Sequence, residues 1–287
     1  MALAPPAKKR LSQHFLIDQN IVRKIVAAAA LRREETVLEI GPGRGILTRA
    51  LCATARRVIA IELDRSLGDA LQEALAGCEN VDLQFGDALA FPYGTLPQGT
   101  VVVANLPYAI STPLLFQLLE AHDRIDRMVL MLQTEVATRL AAKPGTKDYG
   151  ILSILTQYRA VPSLAFRVSA SCFRPAPAVS STVVALAVRR APAVAVADEP
   201  LFVRTVRAAF AHRRKTLANS LRDEGFSLQQ ILPALQAAGI PPGRRAESLA
   251  IEQFAALANA LARDMRREAS GERPEVKDKE NAQELRR

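Results

Sequence analysis

The chain has 287 residues, 49% hydrophobic and 23% charged, and 38 Lys and Arg against 29 Asp and Glu give a net charge of +9. That is enough apolar material for one large domain or two ordinary ones, and the positive excess points to a polyanionic partner such as nucleic acid. No apolar run reaches the roughly 18 residues of a membrane-spanning helix, and the three cysteines, Cys52, Cys78 and Cys172, make neither a disulfide framework nor a metal-binding spacing. No metal and no membrane are expected. The first residues lack the apolar core of a signal peptide, so the expected setting is the reducing cytoplasm.

Residues 1–10 read as a basic, mobile arm. Leu11 to Asp18 form a loop carrying Gln13, His14, Phe15 and Leu16; Asp18 then caps an amphipathic helix to about Ala30, with Ile21, Val22, Ile25 and Val26 on one face. From Thr36 the rhythm becomes strand, helix, strand. Strands are expected at Thr36–Ile40, Arg57–Ile61, Val81–Phe85, Thr100–Ala104 and Met128–Leu132. Helices are expected after Gly45, over Arg65–Ala76 and over Pro113–Ala121. This alternation implies an α/β fold whose parallel sheet is covered by helices on both faces. Ligands of such sheets bind beyond the carboxyl ends of the strands.

The strand ends carry the informative residues. Thr36 to Gly45 read T-V-L-E-I-G-P-G-R-G, an apolar strand breaking into Gly41, Gly43 and Gly45 at the mouth of a helix. Glycine lets the backbone curl there and lets a ligand approach the amide groups. The third glycine falls one residue early for the dinucleotide spacing, so the turn, E-x-G-x-G-x-G with Glu39, resembles the first motif of Rossmann-like methyltransferases. That resemblance implies S-adenosylmethionine rather than NAD. Glu62 ends the second strand, about twenty residues past the turn, where a carboxylate accepts ribose hydroxyls. Asp87 ends the third, placed either to accept from an adenine amino group or to cap a turn.

Asn105-Leu106-Pro107-Tyr108 ends the fourth strand. The amino group of adenine is a poor nucleophile because its lone pair is delocalised into the ring. Acceptors on its two N–H bonds, the Asn105 side-chain oxygen and the Leu106 or Pro107 carbonyl, hold the nitrogen nearer tetrahedral geometry. Pro107 stiffens the loop, and Tyr108 offers a face on which an extracted base stacks. Phe173 opens a loop stiffened by Pro175 and Pro177 and leads to an apolar strand at Thr182–Val188. From there it either closes a sandwich on the base with Tyr108 or plugs into the sheet. Glu135 and Arg139, four apart on a helix that begins at Gln133, read as a surface pair.

These motifs, with S-Q-H-F-L at 12–16, E-L-D at 62–64, G-D-A at 86–88, Q-T-E-V-A-T-R-L at 133–140, Y-G-I-L-S-I-L at 149–155, F-R-P-A-P-A-V-S-S at 173–181 and R-R-K-T-L-A-N at 213–219, resemble the ribosomal RNA adenine N6-dimethyltransferase family over about residues 8–265. The resemblance implies a Rossmann-like methyltransferase sheet with helices on both faces over 1–190 and a small all-α RNA-binding domain over 200–266. It implies S-adenosylmethionine held by His14, Leu16, Gly41, Gly43, Glu62, Asp87 and Asn105. The target-base pocket would be formed by Asn105, Leu106, Pro107, Tyr108 and Phe173. The implied activity is dimethylation of adenines near the 3′ end of small-subunit rRNA, within a pre-ribosomal particle. One position departs from the family pattern: His14 stands where asparagine is usual.

After Arg190 an Ala- and Pro-rich stretch reads as a linker, followed by helical patterns from Leu201, over Leu228–Ala238 and over Ile251–Met265. Arg204, Arg207, His212, Arg213, Arg214, Lys215 and Arg222 cluster on the first helix and the turn after it. Of these, Arg207, Arg213, Arg214 and Lys215 are the expected phosphate contacts. Residues 267–287 read as a disordered tail. No long apolar face is left over, so a monomer is expected. A ribosome-assembly factor without methylation, an NAD-dependent oxidoreductase and a DNA adenine methyltransferase are the alternatives. Glycine spacing argues against the oxidoreductase, and the form of the acceptor motif argues against the DNA enzyme.

Overall fold

The computed structural model describes residues 5–8 and 11–269 and divides into two compact units, Met1–Ala193 and Val194–Arg287. In the first unit, β1 (Phe15–Leu16) precedes α1 (Gln19–Ala29), β2 (Thr36–Ile40), α2 (Ile46–Cys52), β3 (Arg57–Glu62), α3 (Gly68–Ala74) and β4 (Val81–Phe85). Next come β5 (Thr100–Asn105), α4 (Ser111–Glu120), β6 (Ile125–Gln133), α5 (Thr134–Leu140), α6 (Ile151–Arg159), β7 (Ala160–Val168), β8 (Phe173–Arg174) and β9 (Ser181–Val188).

Seven strands form one sheet in the order β4-β3-β2-β5-β6-β9-β7. The five strands β2 to β6 are mutually parallel, as expected, but the strand read at Thr182–Val188, β9, joins the same sheet antiparallel, so the sheet as a whole is mixed. β9 runs antiparallel to β6 and to β7, and β9 and β7 extend the sheet on one side. Alternation along β5 shows how the sheet is covered. Val101 and Val103 pack with α1 and α2 residues such as Ile25 and Leu51, while Val102 and Ala104 pack with Leu115 and Leu118 of α4.

Asp18 caps α1 by accepting from the Asn20 and Ile21 amides. The helix closes at Ala30, which takes φ +46. Arg127 of β6 donates to the Ala29 and Ala30 carbonyls there and pairs with buried Glu35 at 2.7 Å. Arg127, with Arg32, outweighs the effect of burial and draws the Glu35 carboxyl down to about 2. The pair Glu135–Arg139 lies on the surface of α5 at 2.5 Å.

The second unit contains α7 (Glu199–Phe210), α8 (Leu217–Asp223), α9 (Leu228–Ala237) and α10 (Ile251–Ala269) around buried Phe202, Leu221, Leu235 and Phe254. The stretch read as a loose linker is fixed at its end: Asn259 of α10 accepts from the Ala197 amide and donates to the Ala195 carbonyl. α10 continues through 269, so 267–269, expected in the disordered tail, are helical, and the rest of the tail, 270–287, lies outside the described residues. So do 1–4, 9 and 10 of the basic arm.

Candidate active site

The cavity lies at the carboxyl ends of β2, β3 and β5, with the loop after β4 and the segment before α1 as walls. It begins with the glycine turn. Gly41 donates to the Ile61 carbonyl at 2.9 Å, and Gly43 donates to Glu62 Oε2 at 3.0 Å. Gly43 has φ +60, and a Cβ there would meet the Phe15 ring at 3.0 Å. Glycine is therefore required at 43 by backbone conformation and by space together. Glu62, only 6% exposed, also accepts from the Asp64 amide through Oε1 at 2.8 Å. Burial outweighs these two donors and raises its carboxyl above the usual value.

Residues 5–8 are anchored, contrary to the mobile arm expected. Lys8 Nζ pairs with Asp64 at 2.6 Å, Gln13 donates to the same carboxylate at 2.9 Å, and Arg44 donates to the Pro5 carbonyl at 3.1 Å. Burial pushes the Asp64 carboxyl up, but Lys8, Ser66 and Gln13 together hold it well below the usual range. Phe15 lies under the glycine turn with the Arg44 guanidinium 4.6 Å from its ring centre. Sequence reasoning gave Phe15 no duty; its only signal was its place in the S-Q-H-F-L motif at 12–16. Leu16 and His14 line the cavity from the same segment, and Asp87 lines it while capping the turn after β4 through the Leu89 amide at 2.9 Å.

Asn105 stands at the tip of β5. Its side-chain nitrogen donates to the His14 carbonyl at 3.3 Å, leaving its oxygen as the acceptor. The Pro107 carbonyl is taken by the Ile110 amide at 3.2 Å and the Tyr108 carbonyl by Ser111 at 3.1 Å. The Leu106 carbonyl carries no hydrogen bond from the described residues, so of the two candidates it is the free second acceptor. The Leu106 side chain is buried. Tyr108 lines the cavity with its hydroxyl 2.7 Å from buried Ser181, which holds the ring in place. Burial raises that hydroxyl's pKa despite the Ser181 bond. The His14 ring lies 5.7 Å from the Tyr108 ring, and its Nδ1, 2.8 Å from the Pro175 carbonyl, carries the hydrogen of that bond.

Phe173 corrects the sequence reading. Its side chain is 0% exposed, packed with Leu16, Val22, Val129 and Val183 in the core on the α1 side of the sheet. β8 pairs with β1 in the register Leu16 to Phe173, which turns the ring inward as the plug alternative had it. The aromatic beside Tyr108 is His14.

In the second unit Arg207, Arg213, Arg214 and Lys215 are all exposed. Lys215 is paired with Asp223, Arg204 lies 4.5 Å from the Phe226 ring centre, and His212 is 3.2 Å from Glu224. Arg213 and Arg214 have no ion pair among the described residues.

Residues 5–263 match the model of the ribosomal RNA adenine dimethylase family. The chain belongs to that family. It is 48% identical to the ribosomal RNA small subunit methyltransferase A of Moorella thermoacetica over 89% of this chain and 92% of the relative. To the protein of the same description from Geobacter metallireducens it is 42% identical, over 89% and 95%. Among solved structures it resembles a dimethyladenosine transferase from Plasmodium falciparum, with a TM-score of 0.75 and 26% identity over 90% of this chain and 98% of that one. It also resembles the 23S rRNA methyltransferase ErmE, with a TM-score of 0.66 and 29% identity over 86% and 99%. This family member is an rRNA adenine dimethyltransferase, and its first unit has the Rossmann-like methyltransferase fold. No helix among the described residues is long and apolar enough to cross a membrane.

Proposed function

We propose that this dimethyltransferase moves methyl groups from S-adenosylmethionine to N6 of two adjacent adenines in a hairpin near the 3′ end of small-subunit rRNA. It acts as a cytoplasmic monomer on a pre-ribosomal particle during small-subunit biogenesis. The observation that carries the reading is the fixed Asn105 amide beside Tyr108 and the glycine turn, in one cavity. The cavity fits the cofactor: a Cβ would obstruct the cradle at Gly43, Glu62 is the ribose acceptor, and buried Glu39, whose Oε2 has no hydrogen-bond partner, lines the same space. When bound, S-adenosylmethionine supplies a methyl group on a positively charged sulfur.

His14, Leu16, Gly41, Gly43, Glu62 and Asp87 hold and orient the cofactor in this reading. Asn105 Oδ1 and the Leu106 carbonyl accept the two N6 hydrogens, which localises the nitrogen's lone pair for in-line attack. Tyr108 stacks on the flipped base. The methylated nitrogen then loses a proton to water, so the site needs no strong base. Arg207, Arg213, Arg214 and Lys215 contact rRNA phosphates.

The test offers purified protein and labelled cofactor to unmethylated small-subunit particles, large-subunit particles and duplex DNA. Label in N6,N6-dimethyladenosine of the small-subunit rRNA alone is expected. Label only in the large subunit or in DNA, or none, refutes the assignment.

A further inference from the structure

No step of the mechanism uses Glu39. Glu39, at the tip of β2, is 1% exposed and lines the cavity, and its Oε2 has no hydrogen-bond partner. An ionised carboxylate in that setting costs several kcal/mol unless a cation faces it. No cation does. The groups around it are the hydroxyl of Thr48 from α2 and the carboxyl of Glu62 from β3. The other charged or titratable groups lining the cavity are His14 and Arg44, Asp87 beyond β4, and Tyr108 beyond β5. Arg44 is committed to the Phe15 ring and the Pro5 carbonyl.

We propose that Glu39 is a charge-selective element of the cofactor pocket, holding a proton while the pocket is empty and releasing it to solvent when a cationic ligand enters. The inference rests on the S-adenosylmethionine reading. Burial, reinforced by Glu62, pushes the Glu39 carboxyl up to about 8 in the empty pocket, so the group is mostly neutral at pH 7. A positive charge in the same low-dielectric space favours the carboxylate. One charge enters and one proton leaves, so the net charge of the pocket is kept. After methyl transfer the spent cofactor is a neutral thioether, and Glu39 takes a proton back from solvent. The product thus loses the attraction that favoured the donor, which aids the exchange each second methylation requires.

The sign follows from linkage. Affinity for the cationic ligand rises with pH, by up to about tenfold per unit, until Glu39 is ionised without it, and levels off above pH 8. Affinity for the neutral product lacks this rise. Isothermal titration of the full-length protein with S-adenosylmethionine and with S-adenosylhomocysteine, each in phosphate and in Tris at pH 7, reads the proton directly. The expected result is release of close to one proton with the sulfonium ligand and none with the thioether, with release abolished in Glu39→Gln. The wild-type contrast between the two ligands decides the matter even if that variant does not fold. Buffer-independent heat for both ligands, equal release with both, or release persisting in folded Glu39→Gln overturns the inference while leaving cofactor binding intact. Failure of S-adenosylmethionine to bind overturns instead the reading on which it rests.

Discussion

The side-chain nitrogen of Asn105 donates to the His14 backbone carbonyl over 3.3 Å, so the amide cannot flip without losing a bond. The acceptor end is thereby assigned by the fold. Asn105→Ala is expected to lower kcat by about 100-fold or more, the usual cost of removing one oriented polar group at a reacting centre. Single-turnover methylation of small-subunit particles measures it. Cofactor affinity, read by calorimetry, should fall much less than the rate.

Gly43→Ala should damage the cofactor turn in two separable ways. The left-handed conformation costs about 1–2 kcal/mol for a residue with a Cβ, and the Phe15 ring at 3.0 Å adds a steric term. Thermal melts should show a fall of several degrees with lost cofactor binding. Gly43→Ala combined with Phe15→Leu should recover only the steric part, leaving the backbone part in place.

The Phe173 side chain is fully buried in the core of the sheet. Phe173→Ala should cost about 3–5 kcal/mol of stability, as large-to-small changes in packed cores do. Phe173→Leu should retain most stability and most activity. A Leu variant that melts normally yet has lost methylation would show that the ring reaches the substrate.

Acid should loosen the junction of α1 and β6 early. The Glu35 carboxyl is drawn to about 2, below its ordinary value of 4.5. A lowered folded-state pKa gives stability that is complete above the unfolded value and fades as pH falls from about 4.5 towards 2. The shift corresponds to something on the order of 3 kcal/mol. About 2 kcal/mol of this is lost between pH 6 and pH 3, and denaturant titrations at the two pH values should show that loss shrink in Glu35→Gln. The variant should itself be less stable at pH 6, because Arg127 and Arg32 lose their buried partner.

Arg213→Ala with Arg214→Ala should weaken RNA binding and flatten its salt dependence, by about one unit of log–log slope for each phosphate left without its cation. Melting temperature should hold, since neither side chain is in an ion pair among the described residues. An unchanged slope would remove both from the RNA surface.

Much of the fold was readable because its signals are local. Asp18 and the apolar spacing after it marked α1, and alternating runs ending in Glu62, Gly86-Asp87 or Asn105 marked the parallel strands. β7 was hidden by Pro162, which reads as a breaker but is tolerated at a sheet edge. α8 was hidden among cations read as one charged surface. The glycine turn, Glu62 and Asn105 were legible through motifs. The choice between the Leu106 and Pro107 carbonyls was not, because it turns on which one the Ile110 amide uses. Phe173 could not be placed either, since the pairing that turns it inward joins opposite ends of the first unit, and Phe15 packs with Leu67 and Leu71, which the sequence does not bring near it.

That pairing has a consequence for the order in which the protein matures during synthesis. The front of the cavity is made by residues that emerge first, yet it is fastened by His14 to Pro175 and by β1 to β8, after nearly the whole sheet has been translated. Contacts so distant in sequence form late. A growing chain halted before Phe173 can assemble parallel strands but cannot close the front of this cavity, so the cavity is completed only at the end of the first unit's synthesis.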